Sequence, residues 1–284
     1  MRNVLIPVAM MLLLAPAVGL KADDSSERAR LLKTFLDEFV AITPGKDRFP
    51  ATFRMGSEDG AASERPVHEV RLPATFRIAK YEVPQNLYEV VMGENPSRWQ
   101  GPRNSAEMMT WQEANEFCTK VTTLLRQSKQ IGPDEIVRLP TEAEWEYCCR
   151  AGTTTAYSFG DAAQAPGDAG KQASLLDPYA WHTGNAAGND PPVGALKPNA
   201  WGLYDMHGYL WEFCSDAWHA DYEGAPADGS SRPATEGQPT QIVIRSGSWK
   251  DPYPRLRSAA RQPFAVNGRD DAVGFRCVLA REAR

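Results

Sequence analysis

Arg138-Leu139-Pro140-Thr141-Glu142-Ala143-Glu144-Trp145-Glu146-Tyr147 is the stretch on which the fold turns. Within it, Thr141-Glu142-Ala143-Glu144 is a capping box. The threonine hydroxyl and the second glutamate's carboxylate satisfy free amides in the first turn of a helix. Trp145, Cys148 and Cys149 continue that helix, and Gly152 stands just past its end. Thr110-Trp111-Gln112-Glu113 repeats the device upstream, followed by an apolar stripe at Trp111, Ala114, Phe117, Cys118, Val121 and Leu125. Both boxes are structural signals, and spacing alone gives neither a catalytic role.

Outward from this pair the elements become short. Leu31, Leu32, Phe35, Leu36 and Phe39 lie at helical spacing, which predicts an amphipathic helix over 26–42 that ends at Pro44-Gly45. Thr52–Met55, His68–Leu72 and Phe76–Ile78 read as strands, punctuated by Gly56 and Pro73. The segment 157–199 is dominated by Gly, Ala, Asp, Asn and Pro and reads as one long irregular stretch, which in a compact domain points to a functional or ion-stabilised loop. Aromatic and β-rich segments return at Gly202-Leu203-Tyr204, Tyr209–Phe213, Ile242–Arg245 and Gly274–Cys277. With 22 Gly, 22 Pro and 8 Trp and no repeat of fixed period, the chain is expected to be α+β with low regular secondary structure and tryptophan in its core.

The N-terminus carries Arg2, an apolar run from Val4 to Val18, and small residues at Ala15-Pro16-Ala17 and Leu20-Lys21-Ala22 before the charged Asp23-Asp24-Ser25-Ser26-Glu27. The run is shorter than the roughly 20 apolar residues a bilayer span needs, so 1–22 reads as a cleaved secretory signal peptide. No later segment is apolar enough to cross a membrane. The remaining about 260 residues divide into an N-terminal helix and linker, 23–48, and one domain, 49–284, expected in the periplasm. A formal charge of -5 with scattered Lys and Arg excludes a concentrated phosphate-binding face, and nucleic acid with it.

Several segments together resemble the formylglycine-generating-enzyme (sulfatase-modifying factor) superfamily. They are Phe53–Ser57, Tyr81-Glu82-Val83, Arg138–Tyr147, Asn199–Met206, Gly208 with Leu210-Trp211-Glu212, Arg245–Trp249 and Gly274-Phe275-Arg276, in the family's order over nearly all of 50–280. The resemblance implies a variant of the C-type-lectin-like fold with structural calcium. Matched to the family motif, the calcium ligands are the side chains of Asp205 and Glu212 and the carbonyls of Gly208 and Leu210. Two carboxylates around a tight glycine-containing segment suit a hard cation that wants six or more oxygens. Tyr209 departs from the motif, which usually has Asn there. A second calcium site would fall within 182–192. The resemblance also implies a Cys149–Cys277 disulfide, and leaves Cys118, Cys148 and Cys214 without partners.

The family's enzymes hold Cu(I) on two cysteines in the hairpin before Gly-Phe-Arg, since soft copper prefers thiolate. Here that interval, 248–261, contains no cysteine, so no copper and no formylglycine chemistry are expected. His68, His182, His207 and His219 lie too far apart in sequence for a helical zinc pair. What remains is the pocket wall. Asp251 is the candidate general base and Arg255 the anion holder, with Ser248 and Trp211 beside them and Trp249 and Tyr253 as substrate-binding aromatics. In its leader, its length and its cysteine-free hairpin the chain is similar to the periplasmic pyoverdine maturation proteins of fluorescent pseudomonads. That similarity implies oxidation of the dihydro-fluorophore of a peptide siderophore precursor, with other periplasmic tailoring enzymes as partners. The alternatives are a non-catalytic, calcium-stabilised ligand-binding module and an accessory subunit.

Overall fold

A computed structural model describes residues 22–187 and 190–282, so apart from Ala22 the expected leader lies outside the described residues. Helix α1 (Ala22–Asp37) leads into strand β1 (Phe39–Ile42), then β2 (Phe53–Met55), β3 (His68–Val70), β4 (Phe76–Ala79), α2 (Gln85–Met92), α3 (Trp111–Gln127), β5 (Glu135–Arg138) and α4 (Glu142–Arg150). After a long irregular stretch follow β6 (Trp211–Ala217), β7 (Gln241–Arg245), β8 (Arg261–Ala265), β9 (Val273–Gly274) and β10 (Val278–Arg281). One four-stranded sheet runs β1-β4-β10-β5 and a second runs β8-β7-β6-β9, while β2 and β3 form a separate hairpin. All pairings are antiparallel except β6 with β9.

The predicted N-terminal helix stops five residues early. Phe39–Ile42 instead pairs with β4, in register Phe39↔Ala79 through Ile42↔Phe76. Val40 and Ile42 are β-branched and suit a pleated surface, and Ile42 is completely buried. Helical spacing up to Phe39 described the sequence correctly, but an available strand edge decided the conformation.

Both capping boxes form. At α3, Glu113 N–H donates to Thr110 Oγ1 at 3.2 Å and Thr110 N–H donates to Glu113 Oε2 at 2.8 Å. At α4, Glu144 N–H donates to Thr141 Oγ1 at 3.1 Å and Thr141 N–H to Glu144 Oε2 at 2.9 Å. Every residue of α4 is buried, so its carboxylates must be paired inside the protein. Glu142 is met by Arg245 (2.8 Å) and Arg261 (2.6 Å), and Glu146 by Arg245 (2.6 Å) and Arg150 (2.7 Å). These cations hold both acids below the usual carboxylate range against the opposing effect of burial, which alone would raise them. Arg245 also donates to the Ser258 carbonyl at 2.6 Å, so the network inside α4 grips the far end of the 246–260 segment.

That segment leaves β7 through two left-handed residues, Ser246 (φ 95°) and Gly247 (φ 85°). A Cβ on Gly247 would stand 2.8 Å from Leu256 Cδ1, so only glycine allows the return of the chain to pack there. Among the described residues of 157–199 no helix or strand forms, as the composition predicted, whereas Gly202-Leu203-Tyr204, expected to be β-rich, is irregular as well. A small satellite core of Tyr157, Ala163, Ala173, Leu176, Ala180 and Leu256 supports the stretch. Asn199 pins its end by donating to the Cys148 carbonyl at 2.8 Å and accepting from the N–H groups of Trp201 and Leu203.

The Cys149–Cys277 disulfide is not formed. All five thiols are free and buried. Cys149, at the end of α4, faces the Met206 carbonyl at 3.3 Å and the His207 ring, whereas Cys277 faces Cys118 of α3 at 4.0 Å. The two cysteines paired by resemblance therefore sit in different surroundings, one against 206–207 and the other against α3.

Candidate functional site

Two of the expected site residues converge on one carboxylate oxygen of a third, Asp251. Trp211, the first residue of β6, donates its indole N–H to Asp251 Oδ2 at 2.7 Å. Ser248 donates both its hydroxyl, at 2.6 Å, and its backbone N–H, at 3.1 Å, to the same oxygen. Asp251 N–H returns to the Ser248 carbonyl at 2.9 Å, and Thr183 N–H donates to the Asp251 carbonyl at 3.1 Å. The aspartate is thus fixed in rotation through Oδ2, and Oδ1 takes no part in these bonds. Arg255 Nη1 lies 3.7 Å from that oxygen; the Asp251 side chain is 14% exposed and that of Arg255 57%, so this pair is the part of the cluster that solvent reaches.

The geometry separates roles that the sequence had grouped together. Trp211 is almost fully buried and belongs to the main core, and Ser248 is buried with its hydroxyl proton committed to Asp251. Both are positioning residues for Asp251. Trp249 is half-buried, with its indole N–H on the Asp271 carbonyl at 3.3 Å. Tyr253 is not drawn to Asp251: its ring packs on the satellite core, and its carbonyl accepts the Tyr157 hydroxyl at 2.9 Å. Tyr209, where the family motif usually has Asn, adopts φ 112°. Its hydroxyl donates toward Pro191 O (2.7 Å) and Asp190 Oδ1 (3.0 Å), and burial, followed by the charge of Asp190, pushes its ionisation far up. It is a neutral strut under Trp249, whose N–H donates to the Tyr209 carbonyl at 3.0 Å.

The expected calcium ligands are redistributed. Glu212 is fully buried and gives both oxygens to Arg276 at 2.6 Å, with Oε2 also accepting from the Trp145 indole at 2.8 Å. It has little left for a cation. Asp205 accepts from Gly194 N–H at 2.8 Å through Oδ2, while its Oδ1 has no partner. Glu82, which the sequence reading did not select as a ligand, is buried beside them with both oxygens unpartnered. Burial and then the neighbouring acids push Glu82 well up, and burial raises Asp205 to about 6. Unpaired buried acids of this kind are donors waiting for positive charge. Among the described residues no three Asp, Glu, His or Cys side chains are arranged to hold a metal ion, so a cation here would lean on Asp205, Glu82 and main-chain carbonyls.

The remaining thiols offer no substitute for a hairpin pair. Burial pushes Cys148 and Cys214 well up and Cys149 to about 12, which keeps these three as neutral core side chains.

The chain is 34% identical over 151 residues to the formylglycine-generating enzyme of Mycobacterium tuberculosis, covering 50% of each. It is 27% identical over 239 residues to the chaperone protein LppX of Paenibacillus barcinonensis, covering 72% of this chain and 80% of that one. The chain thus spans half the length of the mycobacterial enzyme. Among solved structures, PvdO from Pseudomonas aeruginosa superposes with a TM-score of 0.69 at 30% identity, over 86% of this chain and 94% of that one. Treponema denticola variable protein 1 gives the same TM-score and coverage at 26% identity. The sulfatase-modifying factor enzyme 1-like domain matches residues 26–281, and with the α+β architecture described above this chain belongs to that family, the formylglycine-generating-enzyme superfamily.

Proposed function

We propose that this protein is a periplasmic siderophore maturation enzyme that oxidises the dihydro-fluorophore of a pyoverdine-type peptide precursor. The observation that carries the reading is the convergence of Trp211 and Ser248 on Asp251 Oδ2, which leaves Oδ1 and Arg255 facing outward in a hairpin that has no cysteine. The similarity to PvdO, over most of both chains, supports it. Asp251 Oδ1 takes a proton from the bound catechol-type ring, and Arg255 balances the anion that forms. The electron-rich ring then passes two electrons to dioxygen and loses its second proton, giving the oxidised fluorophore and hydrogen peroxide. Holding an easily oxidised ring beside a fixed base is enough for such a step, because orientation and proton removal are what the uncatalysed reaction lacks. The test is the appearance of fluorescence when the purified protein meets the non-fluorescent precursor under air. Asp251→Asn is expected to lower kcat by about 100-fold or more, and Arg255→Ala to raise KM by roughly tenfold. Conversion of the precursor at the rate of buffer alone removes the enzymatic reading, and calorimetric binding without turnover then assigns a binding module.

Calcium enters this reading as a structural ion held by Asp205 and Glu82 with the carbonyls of Gly208 and Leu210, Glu212 staying on Arg276. It neutralises two acids whose buried counter-charge, Arg276, is already bound to both oxygens of Glu212. Calcium is expected to raise the melting temperature of chelator-treated protein by several degrees, and Glu82→Gln to abolish most of that rise. An undiminished rise in Glu82→Gln places the ion elsewhere.

A further inference from the structure

A second aspartate, away from the Asp251 cluster, gathers two indoles and two cations. Asp271 is buried, and its Oδ2 accepts from Arg98 Nη1 at 3.0 Å and from the Trp99 indole at 3.4 Å. Its Oδ1 takes the Lys250 ammonium, which also meets Asp270 at 2.7 Å, and its carbonyl accepts the Trp249 indole at 3.3 Å. The Arg98 guanidinium lies 5.0 Å from the Trp99 ring centre, and Lys250 lies 5.2 Å from that of Trp249. Glu107 fixes the Trp99 backbone from below, its Oε1 accepting the N–H groups of Arg98 (2.5 Å) and Trp99 (3.1 Å). Trp99 nevertheless remains 45% exposed.

An indole whose N–H and backbone are both tied down while its ring stays in water is a preorganised contact surface, with little ordering entropy left to lose on binding. Its neighbourhood is the candidate site. Trp249 stands two residues before Asp251, and Trp211, which holds Asp251, donates its backbone N–H to the carbonyl of Ala272, next to Asp271. The cations around the two indoles are already paired with Asp270 and Asp271, so the surface offers stacking and not net charge.

The geometry points to a subsite at Trp99 and Trp249, ordered by Asp271, for the peptide that carries the reacting ring, while the ring itself stands at Asp251 and Arg255. This deepens the proposed function and rests on it. Extended peptide presents flat amides and apolar side chains, which rigid indoles bind at low entropic cost. The test measures calorimetric affinity for two probes, a catechol ring on a short uncharged peptide and the same ring without it. Trp99→Ala is expected to weaken the peptide-bearing probe about tenfold and leave the free ring within about twofold, and Trp99→Phe to recover most of the loss. Equal effects on both probes, or none on either, overturn the subsite while leaving the proposed function standing. Failure of both probes to bind the wild-type protein sinks the proposed function and the subsite together. A fall from dimer to monomer in Trp99→Ala, seen by sedimentation, assigns the indole to self-association and also overturns the subsite.

Discussion

At the scale of single residues, the chain tolerates buried acids only where a partner or a proton neutralises them. Glu142, Glu146 and Glu212 have arginines, whereas Glu107 has only two backbone N–H groups on one oxygen and nothing on the other. Burial raises Glu107 to about 7, and the two N–H bonds only partly oppose it. In the unfolded chain the carboxyl ionises near 4.5, so between that value and about 7 the folded state holds an extra proton. Stability contributed by this group is therefore present below pH 4.5 and is lost as pH rises through 7. Screening by nearby solvent limits the effect to roughly 1–2 kcal/mol. Glu107→Gln should remove that component, so the urea midpoint of the variant should gain on the wild type between pH 5 and pH 8. Parallel midpoints across that range would show that Glu107 titrates alike in both states.

At the scale of elements, what was legible in the sequence depended on how far apart the deciding groups stand. Capping boxes are decided three residues apart, and both were readable from Thr110–Glu113 and Thr141–Glu144. The Ser248–Asp251 contact is equally local, and Trp211 joined it through the family resemblance. Phe39–Ile42 was misread because its state is set by β4, more than thirty residues on in the chain. Glu212 looked like a free ligand because its true partner, Arg276, comes 64 residues later in the chain and reaches it only through the pairing of β9 with β6. Trp99 and Asp271 carry no shared motif and meet only in the folded chain. Helix α4 shows the same dependence energetically. Of its three buried glutamates, Glu142 is balanced by Arg245 of β7 and Arg261 of β8, Glu146 by Arg150 and Arg245, and Glu144 by Arg138 of β5, so the short helix is stable only as part of that assembly. Arg245→Met leaves Glu142 with Arg261 and Glu146 with Arg150, and loosens the Ser258 end of the hairpin. A loss of about 3–5 kcal/mol in unfolding free energy is expected, since the change removes the cation shared by two buried carboxylates and leaves each with a single partner. A loss below 1 kcal/mol would mean that Arg261 and Arg150 suffice, and that Arg245 serves only to place the hairpin.

At the scale of the whole molecule, the chain's late return decides its cohesion. Strand β10 enters the first sheet between β4 and β5, so the C-terminal segment closes a sheet whose other strands were laid down before residue 140. Cys277 stands at the start of that closure with its sulfur 4.0 Å from that of Cys118 on α3, both buried in the main core. A disulfide holds its sulfurs about 2 Å apart, so oxidation requires these two side chains to close that gap. In an oxidising compartment the expected disulfide is Cys118–Cys277, linking positions 159 apart and restricting the unfolded chain by about 4–5 kcal/mol on the chain-entropy model. Peptide mapping of protein recovered from such a compartment, without reduction, should find that pair cross-linked and Cys148, Cys149 and Cys214 as free thiols that react only after unfolding. Reduction or Cys118→Ala should lower the melting temperature, with Asp251-dependent turnover unchanged below it, because the α3–β10 junction contributes no group to the hairpin site. A cross-link between Cys149 and Cys277 would require α4 and β10 to exchange partners, and would overturn both the sulfur pairing and the placement of α3 against the closing strand.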